Sequence, residues 1–152
     1  MASLLPKSTD EDVEVKGDRV FDLYGRRKFA GCQVEVNGVA NFTAWGERSW
    51  SEGSDVEKFV WNSNAPLDPT PIAAGDKGIV YRGGVSAYFR CERPGRPPSP
   101  RNVSPAEVKI VELGISAKSA PRDERTKETF TVLMQQFVRF AKAELKCEPP
   151  KG

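Results

Sequence analysis

The sequence predicts an α+β fold: a four- to five-stranded antiparallel sheet covered on one face by one long C-terminal helix. Three observations predict it. An Asn37-Gly38 turn sits between two alternating runs, a second alternating run spans Gly78 to Cys91, and apolar residues recur at three-and-four spacing from about Asp123 to Lys146. At 152 residues and 38% hydrophobic content the chain suits one globular domain, assigned to residues 13–148. A chain of this size buries roughly 68–70% of the surface that it exposes unfolded, enough for one core. Residues 1–12 read as a flexible acidic arm and 149–152 as a tail.

The first hairpin runs from Cys32 to Trp45. Asn-Gly favours it because both residues tolerate the positive φ of a type I′ turn. With a two-residue loop, Val36 faces Val39, Val34 faces Asn41 and Cys32 faces Thr43. Cys32, Val34, Val36, Val39 and Trp45 are then expected on the core side, with Gln33, Glu35, Ala40 and Phe42 on the wetter side. Residues 46–77, broken by Gly46, Gly53, Pro66, Pro69 and Pro71, read as a loop with at most one short element near Lys58–Trp61. Ser54 and Glu57 have the spacing of a capping box.

Gly78-Ile79-Val80-Tyr81 opens a second strand pair, followed by Val85, Ala87, Phe89 and Cys91 alternating with polar positions. Cys91 is therefore expected to point inward beside Phe89. Arg93 to Arg101 is basic and proline-dense, short of backbone donors for a sheet, and reads as an exposed loop. Residues 108–118 carry conflicting signals. Ser104-Pro105-Ala106-Glu107 has the form of a helix start, whereas Val111, Leu113, Ile115 and Ala117 alternate with period two. The β-branched content favours a strand. In the last element Phe130, Leu133, Phe137, Phe140 and Ala141 form the expected apolar stripe, flanked by Met134, Val138 and Leu145. Asp123 and Glu124 suit its N-terminus and Lys142 and Lys146 its C-terminus; Pro149-Pro150 ends it.

Composition excludes several chemistries. The chain has no histidine, so histidine-based triads, Cys/His nucleophiles and HExxH metal sites are ruled out. The glycines at 83 and 84 lack the spacing of a phosphate cradle, and no cofactor or metal is expected. A net charge of +2 is far from the basic excess of a nucleic-acid binder. No stretch approaches a membrane span, and the segment after Met1 lacks the apolar region of a signal peptide. Either the protein stays in the cytoplasm, or the chain is the mature part of an exported protein whose leader lies outside it.

Cys32, Cys91 and Cys147 have no metal-like spacing. Cys91 faces inward on a strand, and Cys147 follows the helix that packs on that sheet, so Cys91–Cys147 is the favoured disulfide. Cys32 would then be free or bonded to a cysteine outside this chain. The alternative is three reduced thiols acting as small apolar side chains. The order Gly31-Cys32-Gln33-Val34-Glu35-Val36-Asn37-Gly38, then Tyr88-Phe89-Arg90-Cys91, then Ala143-Glu144-Leu145-Lys146-Cys147 resembles uncharacterised secreted or lipid-anchored proteins of actinobacteria. The resemblance covers about residues 30–147. It implies export, a structural disulfide and no assigned activity.

Trp45, Trp50 and Trp61 are candidate binding residues, since exposed aromatics stack on sugar rings or peptides; filling the core is the alternative. Arg93 and Arg96, like Arg26-Arg27-Lys28, could meet an anionic surface such as cell-wall polymer or lipid head groups. The proline loop misses the arginine spacing of an SH3 ligand. The leading expectation is a non-catalytic extracytoplasmic binding or scaffolding domain with a cell-surface or cell-wall partner. The alternatives are a small enzyme using paired carboxylates in the 46–77 region, or a cytoplasmic adaptor.

Overall fold

The computed structural model describes residues 13–21, 23, 29–49, 67–91, 110–117 and 119–147. Seven strands form one antiparallel sheet: β1 (Val13–Gly17), β2 (Phe29–Val36), β3 (Val39–Ser49), β4 (Thr70–Ile72), β5 (Lys77–Tyr81), β6 (Gly84–Arg90) and β7 (Ile110–Ala117). Their order across the sheet is β1-β2-β3-β7-β6-β5-β4. The expected four to five strands are thus too few. The two additions, β1 and β4, are short edge strands of five and three residues, and β4 falls in the stretch read as loop. The arm 1–12, the element near Lys58–Trp61, the proline loop, the Ser104–Glu107 helix start and the tail 149–152 lie outside the described residues.

The β2–β3 turn is as expected, with Asn37 at φ 52° and Gly38 at φ 78°. The register beyond it is not. Val36 pairs with Val39 and Glu35 with Ala40, but Val34 pairs with Phe42 and Cys32 with Ala44, leaving Asn41 as the extra residue of a bulge. The Asn41 amide holds the bulge: its Nδ2 donates to the Val39 carbonyl at 2.8 Å, and its Oδ1 accepts from the Ser119 hydroxyl at 3.1 Å. One inserted residue swaps the faces of everything after it. Phe42 therefore joins the core, whereas Trp45 turns to the opposite face. Val39 is half exposed at the hairpin tip, and Cys32 is exposed.

The central strand β7 settles the conflict in 108–118 in favour of period two. It pairs with β3 on one side and β6 on the other, and Val111, Leu113, Ile115 and Ala117 are buried towards the helix. A chain segment with both backbone edges paired cannot be a helix. The β5–β6 hairpin turns through Arg82-Gly83, where Gly83 sits at φ 91°.

Helix α1 (Glu124–Glu144) starts on Asp123, whose carboxylate accepts from the Thr126 N–H at 2.8 Å. It lies mainly over β5, β6 and β7. Thr126, Phe130, Met134, Val138 and Ala141 are its buried residues, joined by Leu145 at the cap, so the stripe is rotated from the expected one. Leu133 and Phe137 are only partly buried and Phe140 is 49% exposed, because the sheet meets the helix on the flank expected to be peripheral. Phe89, Leu113, Phe130 and Met134 form the centre of the core.

At its C-terminus Lys146 adopts φ 54°, its N–H donating to the Ala143 carbonyl, and the Cys147 N–H donates to the Lys142 carbonyl. This is a Schellman turn, which reverses the chain towards the sheet. It delivers Cys147 to Cys91, and the two form a disulfide with Cα atoms 4.8 Å apart. The two cysteines are 56 positions apart in sequence, and closing a loop of that length stabilises the fold by about 4 kcal/mol in the chain-entropy model.

Candidate functional site

The sheet face away from α1 carries the groups with chemical character. Its composition follows from the register: Trp45 lies opposite Gly114, which lies opposite Ser86, and Glu47 lies opposite Glu112, which lies opposite Tyr88. Gly114 is required here. A Cβ on it would fall 2.3 Å from Trp45 Cε2, so the indole rests directly on the β7 backbone. Gly31 provides a similar seat, with Phe29 Cε1 and Trp45 Cβ 3.2 and 3.3 Å from where its Cβ would be. Phe29, half exposed, stacks on Trp45 with ring centroids 6.2 Å apart and 18° between planes. The two rings form a shelf whose position is fixed by two glycines beneath it.

Beside the shelf is a carboxylate pair. Glu47 and Glu112 are direct cross-strand neighbours, which sets two like charges side by side on one face of the sheet. Glu112 is pushed up to about 7, first by burial and then by the negative charge of Glu47. It is therefore partly protonated at neutral pH. Tyr88, Ile79 and Ile110 are buried next to it, with Tyr81 packed against them. The Tyr81 phenol is raised by its own burial, opposed by a hydrogen bond from Ser86. At the outer margin Lys16 Nζ lies 2.8 Å from Glu35 Oε2, which raises the lysine and lowers the carboxylate.

Of the sequence candidates, Trp45 belongs to this face; Trp50, Trp61, Arg93 and Arg96 lie outside the described residues. Cys91 and Cys147 are bonded, and Cys32 carries a free thiol. The thiol lines an open apolar groove on the helix side with Phe21, Ala30, Ala44, Phe137 and Phe140. Glu47, Glu112 and Phe29 were not singled out by the sequence. Glu47 does fall in the 46–77 region suspected of carboxylates, but its partner is set by the β3–β7 pairing. Among the described residues no three metal-ligating side chains converge, and no helix is long and apolar enough to cross a membrane. No protein-family model, curated protein or solved structure matches the chain.

Proposed function

We propose that this protein is a non-catalytic extracytoplasmic binding or scaffolding domain that engages a cell-surface or cell-wall component through the Phe29–Trp45 shelf. The observation that carries the reading is the half-exposed Phe29 ring stacked on an indole that Gly31 and Gly114 hold in place. Such preformed aromatic surfaces bind the apolar faces of sugar rings and peptide side chains with little loss of conformational freedom. The Cys91–Cys147 bond supports an oxidising compartment, where structural disulfides persist. Titration with glycans and peptidoglycan fragments should shift tryptophan emission. The shift should be lost in Trp45→Phe and weakened in Phe29→Ala. Silence across a broad panel, or a response unchanged in Trp45→Phe, would refute the reading.

A second reading is favoured by one observation, the elevated Glu112 opposite Glu47. A protonated carboxyl beside an ionised one is the arrangement of an acid/base pair. It requires polysaccharide-hydrolysing activity that falls as pH rises through about 7, where Glu112 loses its proton, and that disappears in Glu112→Gln. Absence of turnover across the glycan panel leaves the binding reading alone.

A further inference from the structure

The two edges of the sheet are built differently. β4, at one edge, has three residues with Pro71 in the middle, which both shortens the edge and removes a donor from it. β1, at the other, has five residues, no proline and no buried position. Val13 is 56% and Val15 71% exposed. Among the described residues nothing pairs with its outer side. The unpaired N–H and C=O groups of an edge strand that exposes two valines are a template for pairing with a further strand, and the charges of Glu14 and Lys16 decide which strand fits.

The inner ladder fixes which backbone groups point outward. The Asp18 N–H donates to the Gly31 carbonyl at 2.9 Å. Hydrogen-bonded and non-hydrogen-bonded pairs alternate along an antiparallel ladder, so Lys16–Gln33 and Glu14–Glu35 are hydrogen-bonded pairs as well. The N–H and C=O groups of Val13, Val15 and Gly17 then face away from the sheet.

A second copy of the same strand answers these groups when run antiparallel about a two-fold axis through Val15. Val15 meets Val15 of the second copy, and Val13 meets Gly17, so every outward group is used. Glu14 then lies opposite Lys16 of the second copy, and Lys16 opposite its Glu14, in the non-hydrogen-bonded pairs where side chains are closest. Moving the axis to residue 14 or 16 keeps the ladder in step but sets carboxylate against carboxylate or ammonium against ammonium. Charge therefore selects one register. On the helix side, Val15 already neighbours the half-buried Val34, so the two copies join their valines into one apolar strip.

We propose that β1 is a homodimerisation edge, at which two copies pair antiparallel about Val15 and merge their sheets under two-fold symmetry. The proposal stands independently of the ligand-binding reading. Sedimentation velocity on the full chain, in a Cys32→Ser background to exclude thiol cross-links, should show a dimer at tens to hundreds of micromolar. Val15→Pro removes an outward donor at the axis and leaves the inner ladder its bonds. It should sediment as a monomer with the far-UV spectrum of the parent. Glu14→Lys and Lys16→Glu should each weaken self-association about tenfold or more. Mixed together they should form a heterodimer, since both cross-strand pairs become attractive again. A monomeric parent, a dimer that survives Val15→Pro, or charge variants that fail to associate on mixing would overturn the proposal.

Discussion

Replacing Glu112 by glutamine should remove a specific pH dependence from folding stability. In the folded chain Glu112 keeps its proton up to about 7, whereas unfolded it releases the proton near 4.5. Between those values the native state binds the extra proton, so ionising Glu112 weakens the fold as pH rises, and the loss is complete above about 7. The difference of about 2.5 units corresponds to an upper limit of about 3 kcal/mol. The side chain is still partly reached by water, so screening reduces this to roughly 1–2 kcal/mol. Urea unfolding from pH 4.5 to 8 reads the effect directly. Wild type should lose stability across that window, and Glu112→Gln should be flatter and the more stable of the two at pH 8. Glu47→Gln should shift the wild-type transition to lower pH but retain it, because burial is the larger cause. Parallel curves for wild type and Glu112→Gln would show that the carboxyl is well hydrated and the reasoning wrong.

Three further outcomes are expected. Cys91→Ala with Cys147→Ala should lower unfolding free energy by up to about 4 kcal/mol in denaturant titrations, since the bond restrains the unfolded chain. Gly114→Ala puts a methyl group into the Trp45 indole, and should cost about 1–3 kcal/mol with a change in near-UV circular dichroism as the ring is displaced. Asp123→Ala removes the cap of α1 and should cost about 1 kcal/mol.

Features set by neighbouring residues were legible in the sequence. Asn37-Gly38 needs only its own backbone preferences to turn, the alternation at 85–91 needs only a sheet with one buried face, and the helix carries its cap and stripe in its own residues. Cys91 pointing inward and Cys147 ending the helix made their pairing legible too. What failed depended on distant partners. The bulge at Asn41 is held in part by Ser119, so Trp45 changes face for a reason absent from the hairpin itself. The rotation of the helical stripe reflects which strands α1 meets. Phe140 is as apolar as Phe130 but lies off the contact. Glu112 reads as an ordinary outward acid until β3 brings Glu47 beside it and burial raises it. The edge strands β1 and β4 were lost because short strands carry too few residues to display a period.

The Cys91–Cys147 bond ties the helix end to the sheet and supports the extracytoplasmic reading, so it is the most direct test of the account. Thiols should be titrated on the purified protein in denaturant without reductant, followed by mapping of its disulfide-linked peptides. Of the three cysteines, one should react, at residue 32, and the linked peptides should contain residues 91 and 147. Three reactive thiols, or a linkage through residue 32, would contradict it.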